Sequence, residues 1–487
     1  MWLVIVLFVS ALALLFYLDT CKPKNFPPGP KWLPFLGSGL QVVKLKKKTG
    51  YFLTASAEMA KVYGPVLGLK VGKEKLVVVC GPKEIKECLM SDDLAGRPIG
   101  EFYNLRTWGR RRGILLVDED FWHDQRRFIL RQLREFGFGT RNMSTLIEEE
   151  AQELVDYIHQ TINNNDSVIF TSDSLFSVPI LNTLWKMLAG VRYNPGDPKM
   201  KELQTILAEL FSNILMVGAT FSHYPILKYL APEKSGYRLY VNTHLRLWEF
   251  LHKELEFHKK THVSGEPRDF MDVYLDAINS SEKLSNNYTE EQLVAICLDL
   301  FMAGSETTSN TVGFCFLGLI LNPEVQRKAQ EEIDKVIGKS RIPTLQDRPN
   351  MPYVECVALE GMRMFGARAL TVPHRALRDA QLGGYCIPKD TLVVVNLYES
   401  MGSPDSGYED PEAFKPERFL RNGRITVPES FIPFGYGKHR CLGETLARAN
   451  LFVFIAYLLQ RYNFTTVADH PPPKEWREGG DTGTKTL

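Results

Sequence analysis

The spacing of apolar residues predicts a chain that is mainly α-helical with a small β region. Apolar residues with helical spacing dominate from about residue 120 to residue 365. β-rich runs occur at residues 69–80, which predict two strands joined by a turn, and around residues 382–396. The segment 193–240, which Pro, Gly and aromatic residues interrupt, predicts a mobile helix–loop–helix. This distribution favours a mostly helical body with a small sheet.

Residues 1–18 form an uncharged apolar run that predicts a membrane anchor at residues 1–20. A spanning helix needs about 20 apolar residues. Lys22, Lys24 and Lys31 follow the run and no basic residue precedes it, so the positive-inside rule places the rest of the chain in the cytosol. A cleaved signal peptide is the alternative, because Ala11-Leu12-Ala13 resembles a cleavage site. That site lies too early in the run, and a basic leader is missing.

The next segment, 21–37, contains the sequence FPPGP at residues 26–30 and predicts a stiff, non-helical hinge. An ordinary proline-rich linker is the alternative interpretation, and both interpretations make this segment a boundary. We therefore expect an anchor at 1–20, a proline-rich hinge at 21–37 and a single catalytic domain at 38–487.

One helix is predicted to be unusually long. Thr289 and Gln292 fit a capping box, periodic apolar residues continue to Leu321, and Asn322-Pro323 ends the pattern. Its middle reads AGSETT at residues 303–308, where Gly304 costs about 1 kcal/mol relative to alanine. Two interpretations stay open. The segment is either a groove beside a reaction centre, with a hydroxyl and a carboxylate for proton delivery, or a kink that packs closely on a neighbour.

Composition narrows the class of protein. Hydrophobic residues make up 44% of the chain and charged residues 24%, which excludes a disordered chain and a polytopic membrane protein. The net charge of +1 disfavours a nucleic-acid binder. Eight cysteines without a CxxC pair support neither a disulfide scaffold nor a zinc ribbon, and they fit a reducing compartment.

A second group of charged residues comprises Glu360 and Arg363, which share a helical face, and Arg418 within the sequence FKPERF at 414–419. If the three side chains meet in the interior, they lock a helix to a loop. The alternative is a solvated surface pair that contributes little stability.

The sequence FGYGKHRCLGE at residues 434–444 is the most informative motif. Its glycines allow the backbone to approach a flat partner closely. Cys441 precedes a predicted apolar helix, Leu446–Leu459, whose N-terminal field should lower the pKa of the thiol. A thiolate with one open side suits the iron of haem. A lone core cysteine is the alternative, but the spacing F-x-x-G-x-x-x-C-x-G argues against it.

With these motifs in this order, the chain resembles a microsomal cytochrome P-450 over essentially its whole length. In its overall sequence character it resembles insect members of that family. The resemblance implies the cytochrome P-450 fold, with haem b between the long central helix and the cysteine loop. It implies that Cys441 is the axial ligand of the haem iron and that Glu360, Arg363 and Arg418 are structural. It further implies cofactor-binding roles for Trp122, Arg126, His374 and His439, and catalytic roles for Thr307 and Glu306.

Two positions depart from the family pattern. His439 stands where the family most often has arginine, so the charge of that haem contact depends on pH. Gly366 stands where proline commonly follows the Glu360–Arg363 motif.

The resemblance implies a monooxygenase that inserts one oxygen atom from O2 into a small lipophilic substrate of isoprenoid, steroid or fatty-acid type, by hydroxylation or epoxidation. Electrons would come from NADPH through NADPH–cytochrome P-450 reductase, with cytochrome b5 as a further candidate partner. The location would be the endoplasmic reticulum membrane, with the catalytic domain on the cytosolic face. The alternatives are N-hydroxylation of an aromatic amino acid or amine, O2-independent rearrangement of an oxygenated lipid, and a haem sensor without turnover.

Two further surfaces are predicted. Arg127, Arg131 and Arg134 share a helical face and, with Lys438 and Arg440, could steer an acidic reductase or simply form a solvated face. Candidates for an apolar pocket wall, each also consistent with plain core, are Ile114, Leu115, Phe301 and Val372. Asp299 could hold an amine or could bond the neighbouring loop through Arg110 or Arg112.

Overall fold

The computed structural model describes residues 2–163, 172–280 and 287–466 and is mainly α-helical, as predicted. Between residues 120 and 365 the regular elements are helices, which confirms the periodicity. The α-helices are α1 (Trp2–Thr20), α2 (Gly39–Thr49), α3 (Phe52–Tyr63), α4 (Pro82–Met90), α5 (Glu101–Leu105), α6 (Glu119–Glu135), α7 (Arg141–Asn163), α8 (Ser172–Ala189), α9 (Pro198–Asn213), α10 (Thr220–His223), α11 (Leu227–Leu230), α12 (Tyr237–Thr261), α13 (Phe270–Asn279), α14 (Glu290–Leu321), α15 (Pro323–Val336), α16 (Pro352–Gly366), α17 (Tyr398–Met401) and α18 (Glu444–Arg461). Short 3-10 helices lie at Leu345–Asn350, Pro404–Ser406 and Pro416–Phe419.

The strands form one four-stranded sheet and two hairpins within the described residues, and they confirm the strands predicted at 69–80 and 382–396. The strands are β1 (Val66–Val71), β2 (Glu74–Val79), β3 (His374–Arg375), β4 (Ala380–Leu382), β5 (Tyr385–Ile387), β6 (Leu392–Val395), β7 (Leu420–Arg421) and β8 (Arg424–Ile425). In the larger sheet the order is β1-β2-β6-β3, with β2 parallel to β6 and the other pairs antiparallel. This topology fixes β3, and therefore His374, against the buried strand β6.

Helix α14 runs through the core and packs against α8, α12, α16 and α18. Its 32 residues span about 48 Å at 1.5 Å per residue. It begins and ends as predicted, because Thr289 Oγ1 accepts from Gln292 N at 3.1 Å and Pro323 opens α15. The reciprocal half of the capping box was a wrong prediction. The buried Gln292 side chain instead bonds both the N–H and the carbonyl of Gly113, at 2.9 and 3.0 Å.

The segment 193–240 is more divided than the predicted helix–loop–helix. It contains α9, the short helices α10 and α11, and the start of α12. Gly218 and Gly236 break it, because both adopt positive φ, 120° and 80°, which side chains with a Cβ disfavour.

Helix α1 is long and apolar enough to cross a membrane, and none of its residues is buried in the protein. The C-terminal end of α1 contacts the four-stranded sheet. The Lys70 ammonium of β1 forms an ion pair with the Asp19 carboxylate and donates to the Asp19 carbonyl at 2.7 Å. The second Asp19 carboxylate oxygen accepts from Phe35 N at 2.8 Å. The Lys70 side chain is only 6% exposed, and its ammonium lies 5.7 Å from the Trp32 ring centre. We call these contacts the anchor joint.

The proline-rich segment packs against β1. Gly68 N donates to Pro28 O at 2.8 Å, and a Cβ added to Gly29 would lie 2.0 Å from Gly68 O, so only glycine fits at position 29. The proline-rich segment is therefore held against β1 at Pro28 and Gly29. The division of the chain at residues 20 and 37 stays a prediction.

Candidate active site

The cysteine loop connects Phe434 to α18 in a conformation that requires glycine. Gly437 has φ +69°, and a Cβ there would lie 2.2 Å from the Leu89 carbonyl oxygen. Cys441 N donates to Phe434 O at 2.9 Å and closes the loop. Because α18 begins at Glu444, the free N–H groups of its first turn lie next to the Cys441 thiol.

Cys441 is exposed and does not pack fully into the core. The residue retains exposed surface, although protein surrounds its sulfur. Burial raises the pKa of the thiol, and the opposing hydrogen bond from Gly443 N–H and the charge of Arg126 do not outweigh that effect. The predicted lowering of this pKa by the helix terminus was therefore wrong for the free thiol. A metal cation bound at the sulfur would displace the proton.

One face of α14 is open in the middle of an otherwise buried helix. Between residues 292 and 320, Ala303 and Thr307 are the exposed positions, and they lie one turn apart on the same face. Thr307 Oγ1 donates to Ala303 O at 2.7 Å, and half-buried Glu306 accepts from Asn310 Nδ2 at 3.3 Å. The helix thus presents an exposed hydroxyl, with a half-buried carboxylate beside it.

Close packing explains the glycine of the same segment. A Cβ added to Gly304 would lie 2.5 Å from Leu184 Cδ2 of α8. Each interpretation of the AGSETT sequence therefore applies to a different residue. Gly304 allows close packing on α8, and Thr307 presents the exposed hydroxyl.

Three elements bring the four predicted cofactor-binding residues together. The Trp122 and His439 ring centres lie 4.3 Å apart, and those of His374 and His439 lie 5.7 Å apart. Arg126 lies 5.3 Å from the Trp122 ring centre and donates to Arg440 O at 2.8 Å, in the cysteine loop. Helix α6, strand β3 and the cysteine loop therefore assemble one cluster of donors beside Cys441.

Both histidines of this cluster use one ring nitrogen on a backbone carbonyl. His374 Nδ1 bonds Leu94 O at 2.9 Å, and His439 Nε2 bonds Ala95 O at 2.7 Å. Burial, and then the charge of Arg97, lowers the pKa of His374 to about 3 and that of His439 to about 2. Neither imidazole therefore carries a charge at neutral pH in the absence of an anion.

Arg97 belongs to this cluster, although no sequence pattern predicted it. Its Nη1 donates to Val372 O at 3.2 Å and Pro373 O at 3.0 Å, while its buried Nε has no partner in the described part of the chain. Burial lowers its pKa to about 9, so the guanidinium remains charged at neutral pH. It lies in a loop without helical or strand periodicity, so no local pattern distinguishes it from a solvated arginine.

These residues fit a haem. Cys441 offers a sulfur ligand, and the open face of α14 leaves space. The unsatisfied Arg97 Nε, with Arg126, offers donors to the carboxylates of a porphyrin, and each histidine offers a second donor when it is protonated.

A buried carboxylate, Asp118, holds this donor cluster in place. It accepts from Arg97 N at 2.8 Å, from both terminal nitrogens of Arg111 at 2.8 Å, and from Arg375 Nη2 at 3.0 Å. It therefore ties the Arg97 loop to β3. Although burial opposes the effect, the hydrogen bonds from Arg111, Arg97 and Arg375 lower the pKa of Asp118 below its ordinary value of 3.8.

We expect Asp118→Asn to destabilise the protein by about 3 kcal/mol at pH 7, because it leaves buried arginines without their counter-charge. The lowered pKa means that this stabilisation is complete above about pH 4 and is lost as the pH falls through the pKa of the folded state. The difference between the melting temperatures of the two proteins should therefore begin to shrink below about pH 4 and disappear only below the lowered pKa of the folded state. A difference that does not change with pH would contradict an electrostatic role.

The predicted charge cluster on α16 is buried. Arg363 Nε and Nη2 donate to the two Glu360 oxygens at 2.8 and 2.9 Å, and Arg418 Nε donates to Glu360 Oε1 at 3.1 Å. Arg363 also donates to Met401 O at 2.5 Å. Glu360 and Arg363 are fully buried, so the interior lock was the correct interpretation.

Asp299 bonds the neighbouring loop, as predicted, but through Arg106 rather than Arg110 or Arg112. Asp299 pairs with Arg106 at 2.5 Å and accepts from Ile114 N at 2.6 Å and Leu115 N at 2.8 Å. The carboxylate is thus committed to the loop after α5, which leaves it little capacity to bind an amine. Of the predicted pocket residues, Ile114 and Phe301 are buried, while Leu115 and Val372 are half-buried.

The predicted basic patch is partly neutralised. Arg127 pairs with Asp124, Lys438 with Asp92, and Arg440 with Glu444. Arg131 and Arg134 are exposed and have no ion-pair partner among the described residues. These two arginines carry what remains of the patch.

Comparisons with known proteins agree on one family. The family model described as cytochrome P-450 matches residues 27–485. Probable cytochrome P-450 303a1 of Drosophila melanogaster is 42% identical over 99% of this chain and 97% of its own length. Farnesoate epoxidase of Bombyx mori is 36% identical over 96% of this chain and 94% of its own length. Cytochrome P-450 2J1 of Oryctolagus cuniculus is 33% identical over 97% and 93%.

Proposed function

Because this chain belongs to the cytochrome P-450 family of haem-thiolate monooxygenases, we propose that it inserts one atom of O2 into a small isoprenoid-type lipid, with electrons that originate from NADPH. The observation that supports this most directly is that both the Cys441 residue and the Thr307 residue are exposed, although the helix that carries Thr307 is otherwise buried.

The chain's own residues have separable tasks at this site. Bound haem with a thiolate ligand supplies the activation of O2 and the transfer of one oxygen atom. Cys441 would hold the iron. Trp122, Arg126, His374 and His439 would hold the carboxylates of the cofactor, together with Arg97. The neutral histidines fit this role because an approaching carboxylate favours their protonation.

Thr307 and Glu306 would manage protons. The Thr307 O–H donates to the Ala303 carbonyl, so its oxygen can accept a hydrogen bond from outside the helix while its proton is shared with the helix. Rotation of the hydroxyl would direct the proton away from the helix. Glu306, one residue earlier and half-buried, can replace that proton.

We expect Thr307→Ala to uncouple NADPH consumption from product formation. Without the hydroxyl, proton delivery fails, so NADPH is still consumed, peroxide accumulates, and product formation falls by about a hundredfold, at the low end for positioned proton transfer. The measurement is product and peroxide formed per NADPH oxidised, with added reductase.

Thr307→Ser keeps the hydroxyl and should retain coupling. Thr311→Ala is the matched control, because Thr311 Oγ1 makes the same 2.7 Å bond to a carbonyl four residues earlier but is buried. Equal uncoupling in the Thr307→Ala and Thr311→Ala enzymes would assign the effect to helix distortion.

The proposal of an isoprenoid-type substrate draws on the relative named farnesoate epoxidase and on the apolar surroundings of the site. The commitment of Asp299 to Arg106 disfavours an amine substrate. Glu306 and Thr307, side by side, favour O2-dependent chemistry over rearrangement. The test is a panel of isoprenoids, steroids, fatty acids and aromatic amines. It is read first by the haem spin-state shift and then by NADPH oxidation and product mass spectrometry. Turnover of amines alone would refute the substrate proposal.

We further propose that NADPH–cytochrome P-450 reductase, and cytochrome b5 as a second donor, approach the side of α6 that carries Arg131 and Arg134. Exposed arginines suit acidic partners. Helix α1 fits an endoplasmic reticulum anchor, and the lysines after it favour a cytosolic catalytic domain.

A further inference from the structure

Another pocket lies next to the loop that carries Arg97, and Arg375 lines it. It has a volume of about 310 Å³ and is enclosed by the β1–β2 turn, the start of α5, the helix α10 and the residues that lead into β6. Its lining includes none of the residues proposed above to hold haem or deliver protons. The volume is at the lower end of what small-molecule sites occupy, about 300–1,000 Å³.

One part of the pocket wall is apolar, although charged and hydroxyl-bearing residues line the rest. Ile99, Phe102, Phe221 and Leu392 contribute to its walls. Phe102 and Phe221 pack against each other with ring centres 5.7 Å apart, so this wall is preformed. Such a wall suits a hydrocarbon chain.

Two hydroxyls of the lining have no hydrogen-bond partner in the described part of the chain. Tyr103 is 5% exposed and Thr391 is 1% exposed, yet Tyr103 Oη and Thr391 Oγ1 are buried and unsatisfied. Burial raises the pKa of Tyr103 well above its ordinary value, so it stays a neutral donor. Buried hydroxyls without partners cost stability, and an acceptor that enters the pocket would remove that cost.

Two of the three carboxylates that line the pocket have cationic partners, and the third, Glu74, contacts His223. The pairs are Glu74 with His223 at 2.8 Å, Glu101 with Lys228 at 2.5 Å, and Asp390 with Arg375 at 2.7 Å. They therefore repel an incoming anion less than free carboxylates would.

The lysines that line the pocket are unpaired. Lys73, Lys75 and Lys389 are exposed, and none has a carboxylate within ion-pair distance among the described residues. The lining therefore includes three ammonium groups without a carboxylate partner, which attract anions over about one Debye length.

We propose that this pocket is a second ligand site, which binds a lipophilic carboxylic acid in its anionic form. The carboxylate accepts hydrogen bonds from Tyr103 Oη and Thr391 Oγ1, the apolar wall holds the chain, and the three lysines attract the anion. Binding involves no covalent step and does not depend on turnover.

The test uses the haem-loaded full chain with its iron site filled by an imidazole ligand, which the haem spectrum verifies. Isothermal titration calorimetry then measures the binding of dodecanoate and of uncharged 1-dodecanol. We expect one dodecanoate per chain, with affinity at least about tenfold above that of the alcohol. Tyr103→Phe with Thr391→Val, or Lys389→Glu, should weaken dodecanoate about tenfold or more. Lys339→Glu, at an exposed lysine outside the pocket, should not.

Two results would overturn the proposal. The first is absence of dodecanoate binding while the imidazole ligand occupies the iron, which would place any binding at the haem. The second is a Tyr103→Phe, Thr391→Val protein that melts at a higher temperature but binds dodecanoate unchanged. That result would mean that the two hydroxyls are buried groups that cost stability and do not bind dodecanoate. Neither measurement depends on which substrate the enzyme oxygenates.

Discussion

Cys441→Ser protein, reduced under carbon monoxide, is expected to lack the strongly red-displaced Soret absorbance of a thiolate-ligated haem. A serine hydroxyl has almost the size of the thiol, but its much higher pKa prevents it from supplying an anion to the iron. Oxygenation should fall by more than about a hundredfold, since even changes beyond the direct ligands of a metal commonly cost 10–100-fold. The measurements are the carbon monoxide difference spectrum and product formation.

Cys386→Ser is the matched control, because Cys386 is half-buried and lies in the β4–β5 hairpin, away from the cysteine loop. It should leave both the spectrum and the activity unchanged. An unchanged spectrum in the Cys441→Ser protein would remove the basis of the site assignment.

The second large effect is expected from Glu360→Gln. An amide cannot neutralise Arg363 and Arg418, and Arg363 is fully buried, so its charge would lose its partner in the interior. Removal of one partner from a buried pair costs about 3–5 kcal/mol. Chemical unfolding, followed through loss of the haem absorbance, should shift to markedly lower denaturant.

Glu331→Gln tests whether the effect depends on burial. Glu331 pairs with Arg327 on the surface of α15, where both side chains are 62% exposed and water screens the charges. This variant should lose no more than about 1 kcal/mol. If the two variants unfolded at the same denaturant concentration, the α16 cluster would not be the structural lock described above.

The sequence predicted features that depend on neighbours along the chain. The ends of α14 follow from Thr289 and Pro323, and the turn between β1 and β2 follows from a short polar break between β-rich runs. The cysteine loop depends on Gly437, which is required where the backbone passes Leu89. These signals come from residues that are close together in the sequence, so they can be recognised before the fold is known.

Features that depend on distant segments were missed or predicted incorrectly. Arg97 meets Arg126 and His374 only after β3 joins the sheet, and Asp299 finds Arg106 rather than Arg110 because the loop after α5 folds across α14. The pKa of Cys441 was predicted from the helix terminus alone, whereas burial by the whole fold determines its direction. Long-range packing leaves no periodic pattern in the sequence.

The anchor joint has a consequence for shortened forms of the protein. A chain that starts after residue 20 lacks the Asp19 carboxylate, so the ammonium of Lys70, with a side chain only 6% exposed, keeps no counter-ion among the described residues. Removing helix α1 would then destabilise the four-stranded sheet as well as take away the apolar anchor. Replacing Lys70 with methionine in such a truncated protein would remove the unpaired buried charge and put an apolar side chain in its place.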